Sequence, residues 1–506
     1  MKRIDDFLNS ITMYRLLLYY LIALVLFGLF FATAGLLSFN PVVLIVSTLF
    51  LLAVSMLTNS VFASVYEAHT NVESVYISAL ILALIVSPAK NLHELIFLGW
   101  AATLTTSSKY ILTIKKKHIF NPVAIAIALT AIVLGQSATW WVGTAVMVPF
   151  VFLGGVLIVR KIQREDLFYS FIVAACVTML TFSVFNGTNT PAILQRILFG
   201  TPILFFGFVM LTEPLTTPPT KQLQIMYGAM VGLLFAPQIH IGSLYTTPEL
   251  ALLTGNIFSY LVSPKEKLML KLKQTVQLAP DIFDFVFSSD TKFSFRPGEY
   301  MEWTLSHPKP DDRGNRRYFT IASSPTEPDI RIGIRFYSAS STYKKSMFGM
   351  TPGSTIVAAQ RAGDFVLPAN PAQKLVYIAG GIGITPFRSH IKYLIDTNGK
   401  RDIVLFYSNK TATEIVYKDV FDAGARAINL KTVYTLTDTE HVPSGWTGKT
   451  GRITPTMITA ELPDYRERLF YLSGPSNLVN GFKDVLQSMG VKNDMIKTDF
   501  FPGFVA

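Results

Sequence analysis

The chain has 506 residues, of which 50% are hydrophobic and only 15% charged, with a formal net charge of +11 and a single cysteine. That length exceeds one ordinary core and implies about two to four domains. The lysines and arginines are dispersed or cluster between apolar runs, which excludes a nucleic-acid surface, and the lone Cys176 excludes disulfides, cysteine-ligated zinc and protein-bound iron–sulfur clusters within this chain.

Most of the hydrophobic excess lies before residue 262, so the first half is predicted to lie in a lipid bilayer and the second to be soluble. Lys2 and Arg3 precede an apolar run over residues 16–37 that is too long for a signal peptide and lacks a small-x-small cleavage site, so it is expected to remain as a first helix. Further runs at 42–57, 75–86, 95–112, 122–134, 141–159, 167–184, 193–211, 223–235 and 243–262 bring the expectation to about ten crossings. Several are shorter than the ~20 residues of a full span. Basic residues follow the even-numbered runs, at Lys115-Lys116-Lys117, Arg160-Lys161 with Arg164, Lys221, and Lys265 with Lys267. The odd-numbered runs end in loops with at most Lys90, which places the amino terminus and the soluble half in the cytoplasm. Polar groups within such helices are costly, which makes Lys109, His118, Asn121, Asn186, Thr190 and Glu213 candidate functional residues. For Glu213 a helix-end interfacial carboxylate competes with a cofactor or ion contact, and for His118 a solvated basic loop is the alternative. His69, His93, His118 and His240 fall at loop-like or interfacial positions, which is unsuited to paired haem ligation.

The segments Ser108-Lys109-Tyr110, Lys117-His118-Ile119-Phe120-Asn121-Pro122 and Met210-Leu211-Thr212-Glu213-Pro214-Leu215-Thr216-Thr217-Pro218 resemble the D-subunit of Rnf electron-transport complexes and the B-subunit of sodium-translocating NADH:quinone reductase. The resemblance covers residues 1–262. It implies FMN or another flavin in the membrane, near Lys109, His118, Asn121 and Glu213 or by Thr190. Those families attach FMN to a threonine in an Asp-x-x-(Ser/Thr)-Gly-Ala-Thr loop. The nearest stretch here, Asn186-Gly187-Thr188-Asn189-Thr190-Pro191, lacks the aspartate and the Gly-Ala, which leaves covalent flavin at Thr190 and a non-covalent flavin both open.

Beyond Ser263-Pro264 the pattern turns strand-like at 268–278, 282–287, 300–305, 318–322 and 330–336, separated by turns such as Arg296-Pro297-Gly298, and a small antiparallel barrel is expected. Within it, Arg317-Tyr318-Phe319-Thr320-Ile321-Ala322-Ser323-Ser324-Pro325 offers an aromatic face, a hydroxyl and a cation within four residues, which are the three needs of a flavin ring and its phosphates. The competing interpretation is an ordinary barrel strand with an exposed arginine. Past Pro368 the order becomes strand 375–379, glycine turn, helix 386–396 and strand 403–407, which implies a parallel sheet. Gly380-Gly381-x-Gly383-x-Thr385-Pro386 then sits where backbone N–H groups and a helix start can approach a pyrophosphate, and Ser473-Gly474-Pro475, after a strand at 468–472, should stand on the same sheet edge.

Taken in order, Arg317-x-Phe319-Thr320, Ser341-x-Tyr343-Lys344, Pro352-Gly353, Gly363-Asp364-Phe365, residues 380–386, Tyr407-Ser408-Asn409 and Ser473-Gly474-Pro475 resemble the ferredoxin–NADP reductase superfamily over residues 265–506. The resemblance implies FAD and NADH or NADPH. Arg317 would bind a flavin phosphate, Phe319 would stack where the family more often has tyrosine, Thr320 would be the catalytic hydroxyl near flavin N5, and Tyr318 and Ser323 of the same stretch would also contact the cofactor. Ser323 closes that strand motif. Ser341, Thr342 and Lys344 would hold the pyrophosphate. Gly380, Gly381, Gly383, Thr385, Pro386, Ser408, Asn409, Ser473, Gly474 and Pro475 would receive the nicotinamide nucleotide. The family's Gly-Pro before the Gly363-Asp364 pair is replaced here by Gln360-Arg361-Ala362. Near Tyr407 only Lys410 could meet a 2′-phosphate and Glu414 could bind a ribose diol, which favours NADH.

The expected architecture is multi-domain: a polytopic α-helical membrane domain of about ten helices (1–262), a flavin-binding β-barrel (263–368) and an α/β nucleotide-binding domain (369–506). The expected activity is a membrane-bound, flavin-dependent NAD(P)H oxidoreductase, without a metal, that passes electrons from cytoplasmic NADH through a membrane flavin to an extracytoplasmic, flavin-carrying acceptor. The alternative is a redox-driven or redox-sensing ion or solute transporter. A plain membrane anchor is disfavoured by the number of helices.

Overall fold

A computed structural model describes residues 4, 7–8, 11–66, 72–114, 117–185, 195, 197–242, 244–264, 267–290, 293–308, 310–311, 314–338 and 340–499, without the side chains of Lys117, His118, Ile241 and Leu244. The chain divides into two compact units, Met1–Lys265 and Glu266–Ala506.

The first unit is helical: α1 (Met13–Thr33), α2 (Pro41–Val65), α3 (Val72–Ile85), α4 (Leu92–Ile111), α5 (Pro122–Leu134), α6 (Val148–Ile162), α7 (Glu165–Phe185), α8 (Lys221–Leu234) and α9 (Pro248–Val262). Small polar residues set the starts. Asn40 and Asn121 accept backbone N–H groups at the starts of α2 and α5, Thr247 does the same at α9, and each is followed by a proline whose missing N–H costs nothing in a first turn. By length and composition α1, α2 and α7 are long and apolar enough to cross a membrane, and α3 and α5 are shorter apolar helices. Three apolar runs depart from simple helices. Residues 141–147 form a short turn because Trp140 adopts φ 53° and Trp141 donates its indole N–H to Ala83 O at 2.8 Å, so α6 starts only at Val148. Over 193–211, residues 195 and 197–200 are helical, and a separate short piece, Ile203–Phe205, is continued by a wide turn at Phe206–Met210, where Leu211 N reaches Phe206 O at 2.9 Å. Two short strand pairs complete this unit: β1 (Thr113–Ile114) with β2 (Lys117–His118) after α4, and β3 (His240–Ile241) with β4 (Leu244–Tyr245) as a hairpin ahead of α9.

The second unit begins with a six-stranded antiparallel sheet made of β5 (Leu268–Ala279), β6 (Ile282–Ser289), β7 (Tyr300–Thr304), β8 (Arg316–Thr320), β9 (Ile330–Arg335) and β10 (Thr355–Ala362), ordered β8-β7-β10-β5-β6-β9. In β5 the residues alternate, with Leu268, Leu270 and Leu272 buried and Met269, Lys271 and Lys273 exposed, because only one face meets the core around Trp303, Phe285 and Phe287. β10 is a strand the sequence pattern did not mark. Its Ala-rich segment gains its place by pairing with both β5 and β7.

A parallel sheet follows, from β11 (Leu375–Gly380), β12 (Ile403–Asn409), β13 (Lys431–Leu436), β14 (Lys449–Thr450), β15 (Leu469–Ser473) and β16 (Ile496–Thr498), in the order β14-β13-β12-β11-β15-β16. β11, β12 and β15 are covered on both faces, which is why they are unbroken apolar runs. Helix α11 (Thr385–Asp396) connects β11 to β12, and α12 (Lys418–Ile428) connects β12 to β13. The barrel and this sheet share buried polar contacts: the buried Asp284 accepts from Arg331 Nη1 at 3.1 Å and from the Tyr417 hydroxyl at 3.0 Å. At the same seam, Gly298 has φ +90°, and a Cβ there would lie 2.1 Å from Phe365 O and 2.4 Å from His390 Nε2. Gly298→Ala therefore combines backbone strain with a clash against the chain joining the two layers. We expect a loss of roughly 2 kcal/mol or more, read as a lower thermal midpoint of the purified full chain.

Candidate active site

Strand register fixes the ligand-facing edge. Gly380 of β11 pairs with Ser408 of β12, and Ala379 pairs with Ser473 of β15, so the glycine turn, Ser408-Asn409 and Ser473-Gly474 all leave the same carboxyl edge of the sheet. The turn runs Gly381–Ile384 and enters α11 at Thr385, with Pro386 in the first turn. Gly381 needs φ +53° and Gly474 φ +152°. A Cβ on Gly383 would sit 2.5 Å from Gly474 N, and one on Gly474 would sit 3.2 Å from Gly380 Cα, so the two loops meet backbone to backbone. Gly380, Gly381, Gly383, Thr385, Pro386, Ser473, Gly474 and Pro475 are thus brought together as the sequence predicts. Ser408 is buried at the strand end. Asn409 is buried as well, and its side-chain amide lies near the Tyr407 hydroxyl without reaching hydrogen-bond geometry with any of the described residues. A buried amide with unmet donors and an acceptor suits a polar ligand at this edge.

The flavin-type strand reaches the same place. Thr320, at the end of β8, and Ser473, at the end of β15, direct their hydroxyls at one carboxylate oxygen, Asp499 Oδ2, at 3.4 and 3.1 Å. Burial pushes the Asp499 carboxyl up to about 7, against the opposing pull of those two hydroxyls. The sequence reading missed Asp499. It belongs to no motif, and its only signal is an acid directly after β16 and before two phenylalanines.

Other predicted residues are held by the protein itself. Arg317 Nη1 donates to Arg316 O and Gly314 O at 2.5 and 3.3 Å, and its guanidinium lies 5.0 Å over the Tyr343 ring. Phe319 is half-buried, with its ring 6.2 Å from that of Tyr343, whereas Tyr318 donates to Glu302 at 3.0 Å. Strand alternation puts Tyr318 and Phe319 on opposite faces. Ser323 is fully buried: its hydroxyl accepts from Arg331 N at 3.0 Å, which makes it a turn lock rather than a group facing a crevice. Ser341 caps helix α10 (Thr342–Phe348) through Lys344 N at 3.3 Å. Thr342 exchanges bonds with Asp311 at 2.9 and 3.0 Å and reaches His307 at 3.0 Å, and Lys344 Nζ donates to Arg335 O at 2.9 Å. Glu414, expected as a partner for a ribose diol, is instead gripped by Arg335 through two bonds of 2.7 and 3.2 Å, and Asp281 takes the remaining face of that guanidinium at 2.6 Å. A strong fork-to-carboxylate pair leaves Glu414 poorly placed to accept from a sugar.

In the helical unit, Asn121 Nδ2 donates to Glu213 Oε2 at 2.8 Å, while Asn121 N donates to Asn256 Oδ1 at 2.7 Å and Asn256 Nδ2 to the Tyr227 hydroxyl at 3.0 Å. Lys109 Nζ bonds to Ser74 O and Oγ at 2.8 and 3.0 Å and stands within electrostatic reach of Glu213. Asn121, Glu213 and Lys109 therefore do share one neighbourhood, together with Asn256 and Tyr227, which the sequence did not single out. The side chain of His118 lies outside the described residues, as do Thr190 and its neighbours 186–194.

Residues 377–484 match the Oxidoreductase NAD-binding domain. The chain is 28% identical over 229 residues to the glycine betaine monooxygenase reductase subunit of Chromohalobacter salexigens, an alignment covering 43% of this chain and 59% of that one. It is 29% identical over 203 residues to NADH-cytochrome b5 reductase 1 of Pyricularia oryzae, covering 38% and 64%. The cytochrome b5 reductase domain of the Ulva prolifera nitrate reductase superposes on 47% of this chain and 98% of its own at 19% identity, with a TM-score of 0.41. The C-terminal half is homologous to NAD(P)H-dependent flavin oxidoreductases. The chain spans about three fifths of the length of the glycine betaine reductase subunits, between 59% and 61%.

Asp499 makes stability depend on pH. A carboxyl whose folded value is raised from 3.8 to about 7 favours the folded state fully below 3.8, loses that contribution as the pH climbs through this window, and changes little above it. The thermal midpoint of the full chain should therefore fall between pH 5 and pH 8 by more in the wild type than in Asp499→Asn. Equal falls would show that the carboxyl ionises as an ordinary aspartate.

Proposed function

We propose that this chain is a membrane-bound, flavin-dependent NADH oxidoreductase that draws electrons from cytoplasmic NADH through FAD and passes them, by way of a flavin in the helical unit, to an acceptor on the far side of the membrane. One observation carries the reading: the glycine edge of the parallel sheet and the hydroxyl end of the barrel strand converge on a single carboxylate through Thr320, Ser473 and Asp499. FAD would supply two-electron acceptance from a nicotinamide and one-electron release. The protein's part is to bind and orient. The paired glycine loops would admit a dinucleotide backbone, Arg317 would hold a flavin phosphate, and Thr320 would present its hydroxyl to the reacting ring. Asp499 Oδ2 accepts from both hydroxyls and so would fix the orientation of Thr320 and Ser473 at this edge.

NADH is favoured over NADPH because a 2′-phosphate calls for an available cation at the end of β12. Arg335 is already matched by Glu414 and Asp281, which leaves Lys410 among the described residues after β12. The membrane part of the reading is supported by α1, α2 and α7, by the apolar runs around them, and by basic loops of the kind that favour the cytoplasmic side. A hydrocarbon core of ~30 Å separates a cytoplasmic FAD from the outer face, so one relay is needed within it. The neighbourhood of Lys109, Asn121 and Glu213 is the candidate, with Thr190 as the alternative attachment. The same neighbourhood favours a second reading, redox-driven ion transport, since an acid and a lysine within electrostatic reach of each other inside a helical unit are the groups an ion pathway uses.

Three outcomes are expected. Arg317→Ala should lower FAD occupancy about ten- to hundredfold in affinity, the consequence of losing a charge-assisted bond of roughly 1.5 to 3 kcal/mol, whereas Thr320→Ala should keep FAD and slow its reduction. In steady-state kinetics kcat/KM should be higher for NADH than for NADPH. In sealed liposomes with NADH on the cytoplasmic-face side, an impermeant dye or oxidised flavoprotein inside should be reduced. Reduction that continues unchanged after deletion of residues 1–262, or ion uptake without acceptor reduction, would reject the transmembrane electron path.

A further inference from the structure

Three consecutive residues on α11 leave the nucleotide layer and bond to the barrel. Arg388 Nη1 donates to Ala322 O at 2.8 Å, and its guanidinium takes Glu327 in a fork at 2.7 and 2.9 Å. Ser389 Oγ donates to Ser323 O at 2.7 Å. His390 Nε2 lies 3.1 Å from Pro297 O and 3.0 Å from Phe365 O, while Nδ1 lies 3.1 Å from the Tyr377 hydroxyl. Carbonyls only accept, so the ring proton sits on Nε2 and Nδ1 receives the tyrosine proton. All three side chains are buried. Successive helix residues point about 100° apart, so a helix that bonds outward through three in a row is sunk into the seam between layers.

What the bonds connect matters more than their number. Ala322 and Ser323 lie two and three residues beyond Thr320 in the flavin strand's exit, and Arg388 follows the glycine turn by one helical turn from Thr385. Buried donors and acceptors matched only in this arrangement give it a narrow minimum, because any shift of one layer leaves polar groups unpaired.

Building on the proposed NADH-to-FAD transfer, we propose that Arg388 and Ser389, braced by His390, are positioning residues that set the distance between a nicotinamide seated at the glycine loop and the flavin atom beside Thr320. Hydride transfer needs its reacting atoms about 3–3.5 Å apart, and a displacement of about 1 Å can cost a hundredfold in rate. Ser389 and Arg388 act at one remove from the chemistry, so their loss should appear in the transfer step and not in binding.

The test compares the full-length wild type with Ser389→Ala, Arg388→Lys and Ile391→Val. Ser389→Ala removes one hydroxyl. Arg388→Lys keeps the charge but cannot serve Ala322 O and both Glu327 oxygens. Ile391 is a core residue on the same helix with no bond to the barrel, so Ile391→Val controls for lost stability alone. Flavin reduction by NADH is followed anaerobically in a stopped flow, with NADH deuterated at the transferred position as the second arm. For Ser389→Ala and Arg388→Lys we expect unchanged FAD content, an NADH dissociation constant within about twofold, a limiting reduction rate at least about tenfold lower and a larger deuterium isotope effect. Ile391→Val should match the wild type in rate and isotope effect. If Ser389→Ala and Arg388→Lys slow reduction no more than Ile391→Val, or act only on NADH affinity, the positioning role is overturned while the oxidoreductase reading stands. A wild type whose bound flavin is not reduced by NADH overturns both.

Discussion

Two glycine loops with no room for a methyl group between them are the constraint on which the reductase half depends. Gly383 lies against Gly474, and Gly474 against Gly380, at separations only bare backbone permits. That contact needs β15 to sit beside β11 rather than follow it in sequence order, which the parallel crossover topology supplies. Once the loops abut, the ends of β11, β12 and β15 are fixed, and with them Ser408, Asn409 and Ser473. The barrel must then present Thr320 to the same point, which it does through Asp499.

The seam between the two layers is polar for a reason that follows from this geometry. An apolar seam can slide, since burial is indifferent to direction, whereas matched hydrogen bonds are specific in distance and angle. Asp284 with Arg331 and Tyr417, Arg335 with Glu414, and Arg388 with Glu327 all cross or border it. Buried ion pairs of this kind add little net stability, but their geometry resists displacement. The arrangement also explains why Glu414 is unsuited to a ribose: it is already part of the seam.

In the helical unit the governing constraint is the cost of an unmatched polar group. Asn121 illustrates it, since a single side chain both caps α5 with its carbonyl oxygen and donates to Glu213 with its nitrogen, while its own backbone N–H goes to Asn256. Lys109 is likewise spent on Ser74. Charged groups so fully occupied form a connected set rather than isolated interfacial residues, and this is what makes the neighbourhood a candidate for more than anchoring.

Much of this was legible in the sequence, and the division has a physical cause. Apolar runs, proline-headed helix starts, the alternation in β5 and the uninterrupted apolar strands of the parallel sheet all follow from local periodicity, and the glycine turns announce themselves because only glycine tolerates their backbone. Local pattern therefore determined the helical first half, five of the six strands of the antiparallel sheet, the parallel alternation that follows and the glycine motifs at its edge. It could not determine partnership. The choice of Asp499 as the meeting point of Thr320 and Ser473 spans 179 and 26 residues of sequence. The pairing of Asn121 with Glu213 spans 92, and the capture of Glu414 by Arg335 spans 79. The placement of β10 in mid-sheet and the turn at residues 141–147 were decided the same way, by neighbours remote in the chain. Hydrogen-bond satisfaction in a buried site is a property of which groups the fold brings within about 3 Å, and no window of sequence carries that information.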